Sequence, residues 1–96
     1  MKLEMQEYFN IANDNFYKDE FQIAIDNYIL GINHGPIVIQ NIWLIRDAYN
    51  KMSQAYFSLG KLELAIYAND KVLEIDPCSE YGINNRTYFN NQMEVL

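Results

Sequence analysis

The residues able to do covalent or metal chemistry are few and poorly placed for it. His34 stands in a helix-terminating stretch, His34-Gly35-Pro36, where a solvated capping residue is expected. Cys78 is the one cysteine, so it has no partner for an internal disulfide or a thiolate metal site. It also follows Pro77 with no basic neighbour in sequence to activate it as a nucleophile. The paired carboxylates Asp19-Glu20 read as favourable charges at a helix N-terminus rather than as an acid and a base. No Ser/His/Asp, Cys/His or metal-ligand constellation is visible, and the expectation is a non-catalytic protein with no metal and no cofactor. Amides and aromatics are plentiful instead, and these groups recognise partners rather than transform them.

Composition narrows the class of partner. The 96 residues suffice for one domain with a single core, and half of them are hydrophobic, which argues against general disorder. A formal charge of −6, with only 7 scattered Lys and Arg, disfavours nucleic acid and anionic membranes as partners. The first residues, MKLEMQEY, lack the apolar stretch of a signal peptide, and the longest apolar run, IVIQNIWLI, is too short and interrupted to span a bilayer. The expected location is therefore cytoplasmic.

The elements that must position the amides and aromatics are helical. With 4 Gly, 2 Pro and little sustained alternation, strands are not expected. A first helix over 3–17 would turn Leu3, Tyr8, Ile11, Ala12 and Asn15 inward. A second, from Phe21, would bury Phe21, Ala24, Ile25, Tyr28 and Ile32, with Gly31 allowing close helix contact. Gly35 is expected in a left-handed cap, and Pro36 in the first turn of a long helix reaching Leu59. Along that helix Val38, Ile42, Ile45, Tyr49, Met52, Tyr56 and Leu59 form one seam. A fourth helix spans 62–75, carrying Leu62, Ala65, Ile66, Val72, Leu73 and Ile75. Asp76-Pro77 would supply a cap and a helix start, with Ser79 as an alternative N-cap, for a last helix over 79–93 with Tyr81, Ile83, Tyr88 and Phe89 as its apolar positions.

The chain repeats itself. Ala24 overlies Ala65 and Pro36 overlies Pro77, both at an offset of 41 (65 − 24 and 77 − 36), with no gap between FQIAIDNYILGINHGP and LELAIYANDKVLEIDP. The unit AYNKMSQAYFSLGKLELAIYANDKVLEIDP resembles a tetratricopeptide repeat, with Tyr49, Met52, Ser53 and Tyr56 in the first-helix positions. Ala65, Asn69, Val72 and Pro77 take the second-helix positions, and Asn69 and Val72 depart from the pattern. In the first unit those places hold Tyr8, Ile11, Ala12, Asn15, Ala24, Tyr28, Gly31 and Pro36, with Asn15 the misfit.

The resemblance implies an all-α fold: antiparallel helix pairs stacked as a short right-handed solenoid of five helices. Its parts would be repeat 1 (about 5–36), inserted helical turns (about 37–45), repeat 2 (about 46–77) and a closing helix (about 79–93). The family period of about 34 residues leaves about seven extra, close to two helical turns, which would lengthen the third helix without rotating its seam. A looped-out insertion is the alternative.

In this family the first helices of successive pairs line a groove for a partner peptide or helix. Carried over, that groove would show Phe9, Asn10, Asn13 and Phe16, then Asn50, Lys51, Gln54 and Phe57, then Asn84, Asn85 and Tyr88. Equally, Asn and Gln there are what a compositionally biased chain would expose. Members that grip an acidic chaperone tail use Lys and Asn on the first helix, Asn on the third, and Lys and Arg on the fifth, at places held here by Phe9, Asn13, Lys51, Tyr81 and Asn85. Only Asn13 matches, so that partner is not expected. The function expected is a protein-interaction adaptor. The alternative is a structural or regulatory homodimer assembled through Ile37, Ile39, Trp43 and Leu44 on the inserted turns, unless the N-terminal or closing helix folds over them.

Overall fold

Apolar periodicity near 3.6 residues yields helices here, and only helices among the residues described. The computed structural model describes residues 3–94 and contains α1 (Met5–Tyr17), α2 (Phe21–Asn33), α3 (Ile42–Ser58), α4 (Leu62–Ile75) and α5 (Glu80–Glu94), with one 3-10 turn at Ile39–Asn41. Each helix packs on the next in sequence, and α1 also touches α3. The pairs run antiparallel: Phe16 meets Phe21, Tyr28 bonds Asn13 and Tyr8 meets His34, so numbering rises on α2 as it falls on α1. None of these helices is long and apolar enough to cross a membrane.

The two helix pairs turn in the same way. After α1, Glu20 N–H donates to the Asn15 carbonyl at 2.9 Å and Asp19 N–H to Phe16 at 3.1 Å. After α3, Lys61 N–H donates to Tyr56 at 2.9 Å and Gly60 N–H to Phe57 at 3.0 Å. Both are Schellman caps with a left-handed residue at the pivot, Asp19 (φ 61°) and Gly60 (φ 76°). Asp19 and Gly60 also stand 41 residues apart (60 − 19), so the repeat extends from side chains to backbone geometry. Ala12 and Ser53, and Ala24 and Ala65, are each fully buried, and side chains this small let packed helices approach closely.

The central helix is shorter than its seam suggests. It starts at Ile42 rather than Pro36, preceded by an extended Val38 (φ −127°, ψ 166°) and the 3-10 turn. Asn41 sets this local structure. Its Oδ1 accepts from Val38 N–H at 2.9 Å and its Nδ2 donates to the Pro36 carbonyl at 3.2 Å. A side chain that satisfies the backbone in this way competes with helix, and the β-branched Ile37-Val38-Ile39 run gives little propensity in return. Part of the insertion therefore lies outside the helix, and the extension within α3 is one turn. Val38 and Leu59, expected at the ends of the seam, are exposed, whereas Ile45, Met52 and Tyr56 are buried.

Three other expectations change. Gly35 is not left-handed: α2 ends on His34 at φ −69°, and a residue before proline is steered to extended backbone. His34 is not freely solvated, since its ring packs 5.8 Å from Tyr8 and Nε2 lies 3.6 Å from a Glu4 carboxylate oxygen. Asp76-Pro77 forms a turn instead of starting α5. Ser79 is the N-cap, its Oγ accepting from Gly82 N–H at 3.1 Å.

The inward face of α1 is Met5, Phe9 and Ala12, with Phe16 half-buried, so only Ala12 of the expected set is in the core. Gly31 is the reason. Its missing side chain leaves a slot on α2 that the Phe9 ring fills. On α5, Phe89 and Gly82 are buried, while Tyr81, Ile83 and Tyr88 are exposed.

Candidate partner-binding cleft

The first helix of each pair and α5 share one side of the stack. Spacing places Asp47, Asn50, Lys51 and Gln54 on one face of α3, as positions i, i+3, i+4 and i+7. Together with Phe16 and Tyr17 of α1 and Tyr81 of α5 they line a cleft of about 330 Å³. A recess of about 100 Å³ continues it toward Asn13, Tyr28 and Leu44. A second of about 250 Å³ continues it toward Arg46, Asp76 and Glu80. Asp47 borders all three, so they form one surface rather than separate holes.

Side chains of this cleft are held from behind. Asn13 is half-buried and its Oδ1 accepts the Tyr28 hydroxyl proton at 2.5 Å. Burial, more than any neighbouring charge, pushes the Tyr28 phenol well above its ordinary value, so it stays a neutral donor. Arg46 donates to Asp76 Oδ2 at 2.9 Å and to Asp47 Oδ1 at 3.0 Å, tying the start of α3 to the end of α4. Burial works against its charge, and the bonds to the two carboxylates outweigh that, so its pKa stands above the ordinary value. The Asn50 amide oxygen is buried without a hydrogen-bond partner at the cleft wall. An amide left short of a partner has capacity to spare for a bound backbone.

Of the residues expected in a groove, Phe16, Asn50, Lys51 and Gln54 come together in the main cleft. Asn13 lies in the adjoining recess, committed to Tyr28. Asn10 is exposed on α1 and accepts from Gln6 Nε2 at 2.9 Å. Asn84, Asn85 and Tyr88 share a helical face with Tyr81 beyond the cleft, with Asn85 half-buried. Two expectations do not hold as stated. Phe9 is 2 % exposed, lodged against Gly31 and Tyr28, and closes the smaller recess from beneath instead of projecting into it. Phe57 is half-buried, packed edge-on against Tyr88 and at a tilt against Phe89, at 5.4 and 5.3 Å between ring centroids. Tyr17 and Asp47 line the cleft without having been expected as groove residues, and Tyr81, placed in sequence only where tail-gripping members carry Lys, lines it too. The heptad-like spacing of Asp47 with Asn50 and Gln54 was the available signal.

Trp43, Ile37 and Ile39 are exposed, as the alternative surface requires. Leu44 is not part of that surface, because it is half-buried and packs on the core beside Ala48. Val38 takes its place. Two further depressions exist. The larger, about 540 Å³, is a shallow dip of the α3–α4 turn, α4 and Met93. The other, about 230 Å³, lies between α2, α3 and α4 beside Tyr49 and Tyr67. The concave cleft is the stronger candidate because polar groups from three helices converge there.

No protein-family model matches this chain, and no curated protein matches it.

Proposed function

We propose that this protein is a tetratricopeptide-like helical repeat module, two pairs and a closing helix in a short right-handed solenoid. On this reading it serves as a non-catalytic adaptor that holds an extended peptide or helix of a partner protein. The observation carrying the proposal is the cleft itself: Phe16 and Tyr17, Asn50, Lys51 and Gln54, and Tyr81 come from three helices to one concave surface. Exposed tyrosines offer apolar area with a polar tip, and amides on the same wall can pair with peptide backbone of any sequence. The 41-residue recurrence of Ala12/Ser53, Ala24/Ala65 and the two Schellman turns supports the repeat reading. Neither the cleft nor the net charge of −6 favours an acidic tail as the partner.

The test is capture of a partner from the cells that make the protein, with the wild type and with Asn50→Ala/Tyr81→Ala. Tyr81 is 71 % exposed, so its removal leaves the core intact. Loss of a central aromatic together with an amide should weaken binding by about 2 kcal/mol or more, roughly 30-fold. Capture at wild-type level by a variant of unchanged helicity would move the binding surface away from the cleft.

A further inference from the structure

A second surface has the opposite character. Between α2 and α3 the chain presents Ile37, Val38 and Ile39 at 54 %, 41 % and 85 % exposure, and Trp43 at 55 %. Arg46, which lines one recess of the cleft, lies over the indole ring, 4.7 Å from its centroid. Four large apolar side chains left this open within seven residues amount to on the order of 500 Å² of apolar surface, in the size range of functional patches. Packing does not demand this arrangement, since the core is closed by Ile45, Ala48 and Leu44 beneath it.

Charge identifies the occupant. Residues 27–45 contain no Asp, Glu, Lys or Arg, the longest such run in a chain whose formal charge is −6. A basic partner would be drawn to the acidic faces elsewhere, and an anionic membrane would require a cluster of free Lys or Arg around the tryptophan, whereas the Arg46 beside it is already paired with Asp47 and Asp76. A second copy of this chain carries the same negative charge, and it can approach without like-charge repulsion only across a charge-free strip. We infer that residues 37–43 form a two-fold self-association surface, with Trp43 and Ile39 of each copy packing against the same segment of the other. An isologous contact uses the patch twice, so the apolar part alone buries about 1,000 Å², at the lower bound for a specific interface. Dimerisation is therefore reversible and depends on concentration.

The chain carries its own reporter, because Trp43 is the single tryptophan. Sedimentation of the full chain from about 1 µM to 1 mM should move the mass from 11.3 kDa to twice that value, with a midpoint in the range of about 10–100 µM. Tryptophan emission should shift to the blue over the same range. Ile39→Glu keeps the reporter and Trp43→Glu removes it. Each should raise the dissociation constant at least ~30-fold with unchanged far-UV circular dichroism. A wild type that stays monomeric to 1 mM overturns the inference, as does a dimer that survives both substitutions. Species growing beyond the dimer overturn its two-fold character. None of these outcomes bears on partner capture by the cleft.

Discussion

Replacing Gly31 with alanine sets two effects of known size against each other. An added Cβ would stand 2.5 Å from Phe9 Cε1, 2.7 Å from Cδ1 and 3.1 Å from Tyr8 Cβ. Phe9 is 2 % exposed, with the 1 % exposed Tyr28 ring on its flank at 6.1 Å between centroids. Overpacking of a closed core costs about 1–3 kcal/mol, and approaches this short to a buried ring place the site in the upper half of that range. Against it, alanine gains up to ~1 kcal/mol of helix propensity, about half of it realised so near the end of α2. The steric term wins by about 1.5–2.5 kcal/mol, which lowers the melting temperature of a chain this size by roughly 6–20 °C.

Urea unfolding followed by circular dichroism measures this directly, with the midpoint falling and the slope unchanged. Two glycines serve as internal controls. At Gly82 the nearest atom is Leu73 Cδ2 at 2.7 Å, the end of a half-buried flexible side chain, so alanine should change stability by less than about 0.5 kcal/mol. At Gly35 nothing lies within 4 Å and the backbone is not left-handed, so alanine should be neutral or stabilising by up to about 0.5 kcal/mol. Phe9→Leu should partly rescue Gly31→Ala, with a coupling of about 1 kcal/mol. A Gly31→Ala variant as stable as wild type would refute the placement of Phe9 beneath α2.

Two further outcomes follow from buried groups and turns. The Tyr28 phenol is held above its ordinary pKa of 10.0, so the folded state binds that proton more tightly than the unfolded state. Its contribution is intact below pH 10 and is lost as pH rises past 10 toward the folded value, by at most about 1.4 kcal/mol per pH unit. Burial raises Tyr49 and Tyr56 in the same direction. Tyr28→Phe should therefore flatten the alkaline loss of stability while costing about 1 kcal/mol at neutral pH for the bond to Asn13, and an unchanged alkaline limb would count against it. Asp19 occupies a left-handed position that Gly60 fills in the second pair, so Asp19→Gly should stabilise by about 0.5–1 kcal/mol in thermal melts.

Much of the second pair and α2 was legible in sequence. Ala24, Ile25, Tyr28, Ala65 and Val72 fall at the expected helical spacing and are buried as expected, although Ile23, Ile29 and Leu30 of α2 and Leu64 of α4 stay exposed. Helix α1 was harder because it carries two apolar faces, Tyr8-Ile11 and Met5-Phe9-Phe16, and periodicity does not say which one meets α2. Asn69 reads as a departure from an aromatic position, yet it is 1 % exposed and donates to the Gly82 carbonyl at 2.8 Å, a bond that exists only because α5 lies against α4. The cleft was half legible: its α3 wall follows from spacing, whereas Tyr17 and Tyr81 enter from elements distant in sequence.

What the sequence alone determined is local or repetitive: five helices, the small residues where paired helices approach, and the 41-residue recurrence. Propensity, capping and helical periodicity act over four or so residues and are written contiguously. Tertiary structure decided the rest: that Phe9 fills the slot at Gly31, that Asn41 holds the insertion partly out of the helix, and that Ile37, Val38, Ile39 and Trp43 remain uncovered. Helical periodicity proposes an apolar stripe, but burial is a property of the neighbours that arrive from elsewhere in the chain, and only packing says which stripe they cover.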